Sequence, residues 1–412
     1  MKRIVGSFCI IAAVSILMTL PAVAAAELTP KEELGKALYF DTSLSNPSNM
    51  ACADCHADIT GFTGPNPGIN LLDAIYPGAV HKRAGNRKPP TSAYAGASPV
   101  FDYDAGEGLF IGGMFWDGRA TGWVTGDPLA DQAMGPFLNP VEQNLSSEQE
   151  ACMIVAASKY ASLYEEVWGE PIDCDNYDVD GHLVAYKNFA LSIAAFEDSP
   201  EVNPYTSKFD YVQAGEAVFT EQEQLGWELF QADGKGMCAL CHPAPLFTDF
   251  SYDNLGVPRN PDNPFYDMDE VFLDDGTAIN ADGETWVDPG LGGFLNTLPE
   301  ASFALWGLNK TDAVAENRGK HKVPTLRNVD KRPGPGFVKA YMHNGAFKSL
   351  EEVVNFYDER DIMIANGAVV PEVLENMNDA ELGNLGLTEA EEAALVAFMK
   401  TLSDGYDPKK GK

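Results

Sequence analysis

Two short stretches of the chain carry residues whose types and spacing could do redox chemistry: "CADCH" (Cys52, Cys55, His56) and "CALCH" (Cys238, Cys241, His242). Two thiols about a helical turn apart can reach the two vinyl groups of a porphyrin, and the adjacent imidazole then meets the iron from one face. In an exported protein the pattern C-x-x-C-H reads as covalent c-type haem attachment. A zinc site would leave each histidine awkwardly placed beside its cysteine pair. Neither a thioredoxin-like pair nor chance accounts well for two copies in one chain. Two covalent haems are the reading. Apart from Cys9 in the apolar leader, Cys152 and Cys174 remain, and an oxidising compartment favours a disulfide between them, with two free buried thiols as the alternative.

A third stretch, "SLEEVVNFYDER" (residues 349–360), is an amphipathic helix on its face. Ser349 and Glu352 stand at capping-box spacing, and Leu350, Val353, Val354 and Tyr357 recur at helical intervals on one side. A tyrosine in that place is ordinarily core, and here the surface available for it to pack on includes a haem.

The elements that must position these groups read as mainly α, with long loops and no sustained alternating strand. The segments before the two haem motifs look alike: "ELGKALYFDTSLSNPSNMACADCH" and "QLGWELFQADGKGMCALCH" share Leu-Gly-x-x-Leu-aromatic, a polar loop and the attachment site. The repeat predicts two cytochrome c-like haem domains, 27–205 and 206–412, joined near "EDSPEVNPYTSKFD" where proline and polar residues break the helical pattern. "HLVAYKNFALSIAAFE" and "TEAEEAALVAFMKTL" are further helices, the second opening with a Thr388/Glu391 capping box. Residues 251–320, rich in Asp, Gly, Pro and Asn, form a long connection that either packs over something or moves. "NYDVDG" (176–181) resembles the start of a calcium loop, but its twelfth position is Lys187 rather than a bidentate glutamate, so it reads as a turn and helix start.

At 412 residues the chain is long enough for two cores. It opens with Lys2 and Arg3, the apolar run "IVGSFCIIAAVSILMTL", and "PAVAAAE". These are the parts of a secretory signal peptide (residues 1–26), cleaved near Ala24 or Ala26 and sending the protein to the periplasm, with an uncleaved anchor as the alternative. No later segment is long enough to span a bilayer. Without Lys2 and Arg3, 26 basic residues face 61 acidic ones, a formal charge of about −35. Such a surface repels nucleic acid. It suits a basic protein partner, and serves plain solubility equally well.

Four further motifs, "FWDGRA" (115–120), "DQAMGPFLNPVE" (131–142), "VPTLRN" (323–328) and "YMHNG" (341–345), occur in this order with the two haem sites. In combination they strongly resemble the bacterial di-haem cytochrome c peroxidases and their relative MauG, from about residue 28 to 404. The resemblance implies that peroxide reacts at the N-terminal haem, with His56 as proximal ligand and Gln132, Pro136 and Glu142 over the other face. Glu142 would move a proton between the peroxide oxygens, Gln132 would hydrogen-bond the bound oxygen, and Pro136 would limit the space. Taken alone, Glu142 is equally a surface or capping carboxylate.

The same resemblance makes Trp116 the electron relay between the haems. An insertion relative to shorter members contains Trp123 and leaves two indoles as candidates. His81 would be the resting-state ligand of the N-terminal iron in many members, although it reads as well as an exposed loop histidine. At the second haem His242 is the proximal ligand, and the position that carries methionine in electron-transferring peroxidases and tyrosine in MauG is Tyr357 here; a slipped register would bring Met342 or Met363 instead. The family places calcium between its domains, held partly by backbone carbonyls. Its Thr-x-Pro is replaced here by Val338-Lys339-Ala340, which puts calcium in doubt.

Methionine favours ferrous iron, whereas a phenolate stabilises ferric and higher states. The implied function is therefore peroxide reduction fed by a small basic cytochrome or cupredoxin, or a MauG-like oxidation of a protein substrate. A non-catalytic electron carrier is the reading from another class, and a homodimer stays open.

Overall fold

The computed structural model describes residues 27–409. The apolar leader and its cleavage region lie outside the described residues. Helices dominate, with little sheet: two antiparallel pairs, Asp102–Asp104 with Leu109–Ile111 and Tyr252–Asp253 with His321–Lys322.

The internal repeat is built twice in the same way. Helix Pro30–Tyr39 starts at a Thr29/Glu32 capping box, and helix Glu221–Gln231 at a Thr220/Glu223 box. Each lies against the last helix of its half, Val184–Glu197 and Glu389–Lys400 respectively. The repeated glycine explains how closely. A Cβ on Gly35 would stand 1.8 Å from the Ser192 carbonyl oxygen, and one on Gly226 would stand 1.9 Å from that of Ala394. Only a residue without a Cβ lets these backbones touch. The leucines and aromatics around them make two apolar cores: Leu34, Leu38, Tyr39, Phe189 and Phe196 in one, Leu229, Phe230, Phe247, Leu395 and Phe398 in the other. Each such side chain, fully buried, contributes roughly 1.5–3 kcal/mol.

Residues 251–320 pack rather than dangle. They form helices Gly290–Thr297, Glu300–Trp306 and Lys310–Glu316, and Leu291, Leu295 and Phe303 close over Phe101 and Phe110 from the first half. Cys152 and Cys174 are bonded, with Cα atoms 5.6 Å apart. At 176–181 the chain turns into helix Val184–Glu197, and Lys187 Nζ pairs with Asp178 Oδ2 at 2.8 Å, a cation where a calcium ligand would have to be.

Helix Leu350–Ala365 has a cap that differs from the expected box. Ser349 Oγ accepts from Glu352 N at 3.1 Å, but the Glu352 carboxylate takes the amide of Lys348, one residue earlier than the box requires. No described helix is long and apolar enough to cross a membrane.

Candidate functional site

Both C-x-x-C-H motifs fold into one tight turn. His56 N donates to Cys52 O at 2.9 Å, and His242 N donates to Cys238 O at 2.8 Å. Four thiols, Cys52, Cys55, Cys238 and Cys241, are free. Burial pushes the Cys55 and Cys238 thiols up to about 12. Each histidine is oriented from behind: His56 Nδ1 lies 3.2 Å from Phe62 O, and His242 Nδ1 lies 2.8 Å from Phe247 O. Both phenylalanines sit at left-handed φ, 57° and 56°, a conformation a bulky residue rarely holds. With Nδ1–H committed to a carbonyl, Nε2 is the free nitrogen, the arrangement an axial ligand needs. Each turn opens on its own large, mainly apolar cavity. Paired thiols, one aligned imidazole and an apolar slot fit a c-type haem in both places.

The first cavity holds the predicted peroxide residues together. Gln132 and Pro136, one turn apart on helix Pro128–Leu138, line it with His56 and Glu142. Glu142 is fixed by its backbone, with N donating to Asn139 O at 3.0 Å and O accepting from Ala79 N at 2.7 Å. Burial raises its pKa, and the Arg119 guanidinium and Asn139 side chain pull the other way. Arg119 is itself held by Asp117 at 2.9 Å and lies over the Phe115 ring at 3.9 Å. Glu197, which the sequence did not single out, also lines this cavity, and one of its carboxylate oxygens has no partner among the described residues.

Trp116 lines both cavities. Its Nε1 donates to Lys88 O at 2.9 Å, and the His343 ring meets it edge-on at 6.4 Å. Trp123 lines neither; it is half exposed and donates to Phe101 O at 3.2 Å. Around Trp116 runs a buried charge network. Arg87 grips Asp288 through two bonds of 2.7 and 2.6 Å and reaches Asp117 at 2.7 Å. The guanidinium holds both carboxylates below their ordinary range against burial, which opposes it. His321 and His343 stack at 3.6 Å beside Asp288; His321 Nε2 lies 3.4 Å from Asp288 Oδ2, and His343 Nε2 has no hydrogen-bond partner among the described residues. Asp117 and His343 stand inside motifs quoted above and could have been found there. Arg87, Asp288 and His321 carry no local signal and are brought together only by the fold.

The second cavity is lined by His242, Leu350, Val353 and Tyr357, so the apolar face of helix Leu350–Ala365 does look onto the predicted haem space. Desolvation raises the Tyr357 pKa, as do the neighbouring Cys241, Cys238 and Asp253, while Arg360 lowers it. The phenol makes no hydrogen bond with any described residue. Met342 lines the same cavity, and Met363 does not. His81 sits in an exposed turn and lines neither cavity.

Comparison with known proteins gives a consistent result. A family model described as di-haem cytochrome c peroxidase matches residues 29–218. The chain is 33% identical to methylamine utilization protein MauG of Paracoccus denitrificans, over 91% of this chain and 89% of that one. It is 26% identical to cytochrome-c peroxidase IdrP2 of Denitromonas iodatirespirans, over 90% and 81%. Among solved structures, the diheme peroxidase BthA from Burkholderia thailandensis superposes with a TM-score of 0.70 at 25% identity, covering 92% of this chain and 87% of that one.

Proposed function

The chain belongs to the di-haem cytochrome c peroxidase family that includes MauG, and on that premise we propose a periplasmic enzyme that reduces hydrogen peroxide at the His56 haem. Trp116 would relay electrons between the haems that Cys52, Cys55 and His56, and Cys238, Cys241 and His242, would hold in cytochrome c-like domains 27–205 and 206–412. The observation that carries this reading is Trp116, one buried indole in the wall of both cavities.

When bound, the haems would supply redox-active iron. The chain's own groups do the rest. Peroxide cleavage consumes two protons and two electrons and yields two waters. Glu142, its pKa raised by burial, takes the proton from one peroxide oxygen and returns it to the leaving one. Gln132 orients the oxygen pair, and Pro136, with no N–H to offer, narrows the space without adding a donor. The Trp116 N–H faces a carbonyl, which is no proton acceptor, so the indole passes an electron while keeping its proton.

One observation favours a MauG-like variant of this chemistry, in which the stored equivalents are drawn from a protein side chain. Tyr357, whose phenol has no hydrogen-bond partner among the described residues, lines the second cavity at the position where a methionine would mark an electron entry port. An oxygen donor there holds the higher iron states better than sulfur does. The test is the EPR spectrum of the holoprotein beside Tyr357→Phe, before and after one equivalent of peroxide. We expect an altered low-spin signal in the variant and a long-lived oxidised state only in the wild type. An unchanged low-spin signal would hand the ligand role to Met342 and return the enzyme to conventional peroxidase duty.

A further inference from the structure

Lys339 is buried, 4% exposed, and among the described residues no carboxylate pairs with it. Its ammonium donates to three backbone carbonyls: Thr60 O at 2.9 Å, Asn328 O at 3.0 Å and Lys331 O at 3.0 Å. Three acceptors use all three N–H groups, so the site is built for the charged form. The carbonyls come from both halves of the molecule. Thr60 ends the turn Asp58–Thr60, four residues beyond His56, while Asn328 lines the His242 cavity, as does Lys339 itself. Lys331 adds an outer tie across the same seam, Nζ to Asp58 Oδ1 at 2.8 Å.

Calcium does not fit here. The ion needs six to eight oxygens at about 2.3–2.6 Å. The carbonyls of this seam already face donors of the chain itself: besides the three on Lys339, Val338 O and Gly64 O accept from Asn70 Nδ2, each at 3.0 Å. A divalent cation would also stand against an ammonium. Burial first, then Lys88, Arg332 and Lys331, push the Lys339 pKa down and Asp330 opposes them; it is the three carbonyl acceptors that favour the ammonium.

We infer that Lys339 is a built-in cation that replaces a bound metal ion between the halves, locking the His56 turn against the wall of the His242 cavity and so fixing the spacing across Trp116. Its role in the spacing rests on the two-haem reading above; its role as a cation does not. The protein then needs no calcium.

Two measurements on the holoprotein test this. Wild type purified without chelator should hold substoichiometric calcium, and EGTA should leave its melting temperature and spectrum unchanged. Lys339→Ala empties a hole lined by three carbonyls, and should melt roughly 5 °C or more lower while slowing oxidation of the second haem after peroxide. Millimolar methylammonium should raise that melting temperature back, but not that of Lys339→Met, whose side chain fills the hole without charge. Stoichiometric calcium in the wild type, sensitivity to EGTA, or an alanine variant that methylammonium restores no better than the methionine one would each overturn the inference. If the alanine variant does not fold, metal content and chelator response of the wild type still decide. Absence of second-haem oxidation in the wild type itself would instead strike the functional reading, leaving the metal and rescue results to judge the lysine.

Discussion

At the scale of single residues, the site depends on carboxylates kept away from water. Glu142 is the proton carrier of the proposed mechanism, and general acid–base groups typically contribute about 10²–10⁴-fold. Glu142→Gln should therefore slow the reaction with peroxide by roughly a hundredfold or more, with both haems attached and the resting spectrum nearly unchanged. Stopped-flow mixing with peroxide reads this directly. Glu197 makes a different prediction. Burial raises its pKa to about 8, so the fold favours the neutral acid. A group whose folded pKa lies above its unfolded one stabilises fully at low pH and loses that contribution as pH rises through the folded value. Wild type should thus lose melting temperature between about pH 4.5 and 8 relative to Glu197→Gln, which cannot ionise. Melting curves that run parallel over that window would show the carboxyl to be solvated.

At the scale of elements, the two glycine contacts hold each half together. Gly35 and Gly226 allow helix pairs to approach until backbone meets backbone, and an added methyl group has nowhere to go. Overpacking of this kind costs about 1–3 kcal/mol, so Gly226→Ala should lower the melting temperature by several degrees and loosen the His242 side first. Gly35→Ala should do the same for the His56 side. Haem-resolved spectra during thermal unfolding distinguish the two halves. A variant that melts as wild type would mean that the helices can slide apart at no cost.

For the whole molecule the governing quantity is charge. A formal charge of −33 over the full sequence gives a field that would attract a basic donor from a distance. Attraction of that sort is screened within about 8–10 Å at physiological salt. Turnover with a small basic cytochrome should accordingly fall severalfold in kcat/KM as salt rises from about 20 to 200 mM, through slower association. A salt-independent rate would mean that the acidic surface only keeps the protein soluble.

Much of this was legible in the sequence. The attachment turns, the repeat with its glycine and the Thr388 cap follow from local patterns, because thioether spacing, capping and helix contact are short-range requirements written within a few residues; the tryptophan of "FWDGRA" was singled out only by the family resemblance. The face bearing Leu350, Val353 and Tyr357 was equally plain from its periodicity. What the chain order could not convey is who meets whom across long separations. Arg87 finds Asp288 and Asp117, His321 stacks on His343, and Lys339 reaches Thr60 from nearly the far end of the chain. Buried charges have no pattern of their own; their partners are set by packing, because a desolvated charge is tolerated only where the fold happens to bring enough opposite charge or enough carbonyl oxygens to it. Residues 251–320 show the same limit: their composition left open whether the connection packs or moves, and only tertiary burial of Leu291, Leu295 and Phe303 against Phe101 and Phe110 decides for packing.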